Sequence, residues 1–251
     1  VLLSAMAIAG VIGGGLWAFI PAYFKSKFGT NETITTLMMN YIAISFVTYL
    51  QYDLWKDPSE MGFPKIKNFT DNAILPKVLG IHAGWIIAII LVILMYIFME
   101  YTKKGYEISV LGESEKTAKY AGINIKKTIL GAIFLSGGLC GLVGMIQASA
   151  INNTLSVEVA GGVGYTAIIV TWLASLSAPL ILLVSILFAA LLQGGAYIQT
   201  AFGIPDAAAL VIQGTILFFV LGSEFFTKYK VQFSNNKKVN EKKNKQVAKE
   251  V

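Results

Sequence analysis

Residues 82–101, HAGWIIAIILVILMYIFMEY, run for about twenty positions with no charged side chain before Glu100. About 20 apolar residues in a helix match the hydrocarbon thickness of a bilayer, and a helix satisfies its own backbone hydrogen bonds there. Comparable runs recur at approximately residues 1–22, 33–52, 128–148, 164–177, 178–199 and 206–226. Charged residues make up 14% of the chain and hydrophobic ones 55%, against roughly 25% charged in a soluble domain. The pattern predicts an all-α fold, a polytopic transmembrane helical bundle over residues 1–226. The run at 164–177 is short and passes directly into Ser177, Ala178 and Pro179.

The placement of charge orients the bundle. All twenty basic residues are Lys; eight lie between Lys228 and Lys249 and six between Lys103 and Lys127. Such clusters mark cytoplasmic segments under the positive-inside bias, so the net charge of +6 points to no nucleic-acid partner. If residues 102–127 and the C-terminus are both cytoplasmic, the four runs between them give the even number of crossings required. Residues 149–164 and 53–79 then face outside, and the turn with Lys25 and Lys27 faces inside. The outer loop 53–79 holds four Lys against four acids, so the fourteen Lys of the two clusters fix the orientation. The tail 227–251, TKYKVQFSNNKKVNEKKNKQVAKEV, has too few apolar residues to offset ordering entropy and is expected to be disordered. Its Lys residues suit contact with anionic membrane lipid.

Between two apolar runs sits GESEKTAKYAGINIKK, residues 112–127. It has the grammar of a short polar helix of about two turns. Glu113 and Glu115 fall in the first turn, Ser114 can cap it, and Gly122 suits the left-handed residue that ends a helix. Ser114, Thr117, Ala118 and Ala121 recur at i, i+3, i+4 and i+7 and form a small-residue face; Glu115 and Lys119 are an i, i+4 pair. Such a face suits either packing on the chain's own bundle or close approach by a partner.

YTKKGYEISVLGESEKTAKYAGINIKK resembles the cytoplasmic segment of permease subunits of ABC importers, in the group that handles branched-chain amino acids, simple sugars and ribonucleosides. The resemblance rests on Gly105, Tyr106, Gly112, Glu113, Ala118, Ala121, Gly122, Ile123 and Lys126. NETITTLMMNYIA (residues 31–43) is similar to the segment typical of the simple-sugar and nucleoside branch, and LSGGLCGLVGMIQA and GGVGYTAIIVTWLA to its later helices. The resemblance covers essentially the whole chain, although such permeases usually carry about three more helices upstream, and Val1 lies inside an apolar stretch without an initiator Met.

The resemblance implies a multi-pass subunit of the bacterial inner membrane with a cytoplasmic C-terminus. The role it implies is uptake of ribonucleosides by alternating access, with a simple sugar such as ribose or galactose as the alternative. It also makes 102–127 a coupling segment that contacts an ABC ATPase subunit through Glu113, Ser114, Thr117, Ala118, Ala121 and Gly122. The implied partners are that ATPase, a second permease subunit and an extracytoplasmic solute-binding lipoprotein. This chain has no GxxxxGK[ST] loop to cradle a triphosphate, so ATP and Mg are expected on the partner and no cofactor here. No enzymatic chemistry is expected of it.

Polar side chains inside apolar runs are costly unless paired or facing a cavity, which makes them candidates for a solute path. Asn40, with Thr35 and Thr36 about one turn before it, Gln147 and Trp172 are the leading ones; Asn152, Gln193, Gln199 and Gln213 are others. Amides and hydroxyls suit a neutral polar solute, and Trp172 can stack on a ring. No Asp, Glu, Lys or His lies at the centre of a run, which argues against a proton relay and hence a secondary transporter. Cys140 and His82, each alone of its kind, form no metal site. Asp206 reads as a helix N-cap, and Glu100 as a partner of Lys103 or Lys104. Gly10/Gly14 and Gly137/Gly141 are GxxxG pairs that permit close helix contact, expected within the subunit.

Overall fold

A computed structural model describes residues 2–58, 64–78, 80–203, 205 and 207–228. Most of them are helical. The helices are α1 (Leu2–Phe28), α2 (Glu32–Tyr49), α3 (Gly84–Tyr101), α4 (Lys103–Glu113), α5 (Glu115–Tyr120), α6 (Ile125–Ile146), α7 (Val163–Leu173), α8 (Ala178–Phe202) and α9 (Ala207–Lys228). Among the described residues, five stretches, 2–28, 32–54, 84–101, 125–152 and 178–202, are long and apolar enough to cross a membrane. The chain is an all-α membrane bundle.

The helix α1 extends past the expected end at residue 22, through Pro21, to Phe28. Lys25 and Lys27 in its last turn complement the dipole, and Gly29, at φ +65°, stops it by donating its N–H to the Lys25 carbonyl. Asn31 then caps α2, its side chain accepting from the N–H groups of Thr33 and Ile34, and Lys25 pairs with Glu32 across the turn. Both α2 and α6 end in π-helical turns, Leu50–Leu54 and Gln147–Asn152.

The closest packing in the fold is between α1 and α6, which run antiparallel. Gly10 and Gly14 face Gly141 and Gly137, and a Cβ on Gly14 would lie 2.8 Å from the Gly141 Cα. The GxxxG pairs therefore act within the subunit, as expected. This antiparallel pair brings the Lys25/Lys27 turn and residues 102–127 to one end of the bundle. At the other end, the segment 55–83 is hydrogen-bonded to residues 149–157. Ser149 Oγ donates to the Ala73 carbonyl, Thr154 Oγ1 to that of Ile66 at 2.9 Å, and the Phe69 N–H to that of Asn153 at 2.8 Å. Gln51 clamps the same region, donating to the Pro64 carbonyl and accepting from the Val157 N–H. A two-stranded ribbon, Lys77–Val78 with Ile81–His82, closes it.

One expected crossing is corrected. The run at 164–177 contains α7, whose 11 residues reach only about 16 Å, half the roughly 30 Å of a hydrocarbon core. The chain turns back at Ser175 and Leu176, both left-handed, into α8. α7 also starts deep in the bundle. Val163 shares a cavity with Leu192, ten residues before the end of α8, and Thr166 bonds to Gln213, six residues past the start of α9. By helical rise those offsets are about 15 and 9 Å. Turns at 153–162 supply the remaining depth, so this stretch, expected outside, descends into the bundle. Asp206 and residues 229–251, most of the expected disordered tail, lie outside the described residues; Thr227 and Lys228 belong to α9.

Candidate functional sites: a coupling segment and a solute path

The polar segment is two helices, not one. Thr102 caps α4, its Oγ1 accepting from the Gly105 N–H at 3.1 Å while donating to the Phe98 carbonyl at 2.6 Å. Gly105 lies so close under the end of α3 that a Cβ would overlap the carbonyl oxygen of Phe98. Lys104 pairs with Glu107, and Glu100, expected as its partner, is exposed and has no ion pair among the described residues.

Extended backbone at Ser114 (φ −158°) breaks the chain between α4 and α5, and its Oγ accepts from the Thr117 N–H at 3.3 Å, the predicted cap. Glu113 therefore ends α4 instead of starting α5. The six residues of α5 stop in a Schellman arrangement: Gly122, at φ +73°, donates to the Lys119 carbonyl and Ile123 to the Ala118 carbonyl. Asn124 then caps α6 by accepting from the Lys127 N–H.

Burial corrects the expected face. Ala118 is 0% exposed, on a helix that folds back against α4 and the start of α6. It supports α5 from within. Glu113, Thr117, Ala121 and Gly122 are exposed and Ser114 half-buried; Glu115 and Lys119 form no salt bridge. Sequence reasoning missed Tyr120, two residues past Ala118 and so on the opposite face, a residue 93% exposed. A large aromatic in an otherwise polar six-residue helix was the available signal.

The path residues stay apart. Thr35 Oγ1 and Thr36 Oγ1 bond back to the carbonyls of Asn31 and Glu32, each at 2.9 Å. Asn40, one turn beyond Thr36 on the same face, is exposed and makes no hydrogen bond among the described residues. Gln147 begins the π-helical turn after α6, half-buried. Trp172 stands on α7, 48% exposed. None of these five lines the cavity of about 460 Å³ between α7 and α8, which Val163, Thr166, Thr171, Ser185 and Phe188 help to form. The polar pair beside it is Thr166 and Gln213, joined at 2.9 Å.

The family model described as branched-chain amino acid transport system / permease component matches residues 1–221. The chain belongs to this family. The match takes in both the α4–α5 segment and the half-helix α7. Among its relatives, the glucose ABC transporter permease protein of Haloferax volcanii is 30% identical over 96% of this chain and 66% of its own length. The guanosine ABC transporter permease protein of Bacillus subtilis is 28% identical over 88% and 65%, and the nucleoside ABC transporter permease protein of Lactococcus lactis 29% identical over 87% and 63%. The chain thus spans slightly under two-thirds of these relatives. No solved structure matches.

Proposed function

We propose that this chain is the membrane-spanning permease subunit of an ATP-binding cassette importer for a neutral, hydroxyl-bearing solute, a ribonucleoside. The observation that carries this reading is family membership over residues 1–221, together with relatives named as nucleoside and sugar permeases. The described membrane runs add to it: amides and hydroxyls punctuate them, while charge sits at their ends. A simple sugar is the second reading, favoured by the 30% identity to the glucose permease.

In the mechanism, two permease subunits enclose a path, an extracytoplasmic binding lipoprotein delivers solute to the 55–83 end, and ATP with Mg is hydrolysed on a separate ATPase. The α4–α5 segment meets that ATPase on the cytoplasmic side. Tyr120, Thr117, Ala121 and Glu113 form the exposed contact and Ala118 anchors it to α6, so movement of the ATPase reaches the membrane helices through a short, packed lever. The cytoplasmic C-terminus follows from the same orientation.

The test is uptake of labelled guanosine and labelled glucose into inside-out-controlled membrane vesicles carrying the whole transporter. Uptake of one of them that requires ATP supports the importer; uptake by the purified subunit alone, or uptake driven by a proton gradient without ATP, defeats it.

A further inference from the structure

The half-helix α7 begins beside an incompletely satisfied amide. Gln213 keeps only 5% of its surface exposed; Nε2 donates to Thr166 Oγ1, and Oε1 is buried with no hydrogen-bond partner. Exchanging the amide's oxygen and nitrogen changes nothing in this respect, since one polar atom still engages Thr166 and the other nothing. A hydroxyl would suffice for an interhelical link. A buried amide with one idle end costs stability, and such a group persists where a partner arrives during function.

The surroundings indicate what arrives. Thr166 lies in the first turn of α7, where no side chain caps the helix and Gly161 and Gly162 are both left-handed; the N–H groups of Val163, Tyr165 and Thr166 are taken up by the carbonyls of Ala160 and Gly162. The same Thr166 lines the α7–α8 cavity with the hydroxyls of Thr171 and Ser185, and no charged side chain is among its lining residues. Side-chain hydroxyls that can donate or accept, an idle amide end and the absence of charge match a hydroxyl pair, which both donates and accepts.

We propose that Thr166 and Gln213 form a solute-contacting subsite at the buried start of α7, taking a pair of hydroxyls on the sugar ring of a neutral solute. This rests on the importer reading above. Ribonucleosides and simple sugars share this feature, so the subsite serves either. Because the two residues sit on different helices, displacement of α7 against α9 parts them and frees both for the solute.

The experiment uses the whole transporter in membranes, with Cys140→Ala and a single new cysteine, Ala167→Cys, which lines the same cavity and leaves the pair intact. Whichever of guanosine and glucose the wild type takes up is then the probe, at saturating concentration, against a small cationic methanethiosulfonate reagent read on this chain. The solute is expected to slow modification at least about fivefold. Adding Gln213→Met removes that protection and lowers maximal uptake about tenfold; Thr166→Val serves as a second variant and does the same. A cysteine that reacts at one rate with and without solute overturns the subsite, and so does protection that survives both variants. If the wild type takes up neither solute, the importer reading fails and the subsite with it.

Discussion

The Ile123 N–H reaches back across left-handed Gly122 to the Ala118 carbonyl at 3.0 Å, so the residue that ends α5 and the residue that buries it are one unit. Any side chain at Gly122 strains that turn. Gly122→Ala is expected to cost about 1 kcal/mol. In Gly122→Pro, φ is fixed near −65° and the N–H to Lys119 is lost. That variant should insert normally but show no solute stimulation of ATP hydrolysis in the assembled transporter. Wild-type stimulation in it would separate the turn from coupling.

Glycines on α6 should respond with opposite signs. A Cβ at Gly141 would overlap the backbone of Gly10, so Gly141→Val forces α1 and α6 apart and is expected to cost about 3 kcal/mol. For a chain of this size that is a fall of about 6–12 °C in the midpoint of thermal unfolding in detergent. Gly131 has open space at its Cβ position, and Gly131→Ala should be neutral or stabilising by up to about 1 kcal/mol. Equal shifts in the two variants would contradict the packing.

The contrast between local and long-range signals explains what the sequence made legible. Helix spans, the Ser114 cap and the left-handed Gly122 depend on neighbours within a few positions, and all three were readable. The burial of Ala118 was not, because small residues suit a partner's surface and the chain's own packing equally. The half-length of α7 was hidden for a related reason: GGVGYTAIIVTWLA is apolar throughout, and only its offset against α8 and α9 shows where the helix begins. Gln213 was visible as a polar residue in an apolar run, but its pairing with Thr166, 47 positions away, was not.

At the opposite end, Ser149 is fully buried and its hydroxyl holds the Ala73 carbonyl, tying the 55–83 segment to the π-helical turn after α6. Ser149→Ala leaves that carbonyl without its partner, a loss of about 1–3 kcal/mol. The expected result is hydrogen exchange at least about tenfold faster for amides around residues 66–75, with α1 and α6 unchanged. Unaltered protection of that loop would mean the hydroxyl contributes nothing to holding it.

Tyr120 gives the sharpest separation between folding and partner contact. Being 93% exposed and on the face away from Ala118, it makes no contact whose loss destabilises the chain. Exposed aromatics that become buried in an interface are frequent hot spots, worth about 2 kcal/mol or more on truncation. Tyr120→Ala is therefore expected to keep the wild-type unfolding midpoint yet weaken the permease–ATPase association about thirtyfold, with a matching fall in solute-stimulated hydrolysis. Tyr120→Phe should retain most of both, since the ring supplies the buried area. Association measured by titrating purified ATPase subunit against the detergent-solubilised permease decides it. An unchanged affinity in Tyr120→Ala would overturn the proposed role of Tyr120 in an ATPase contact.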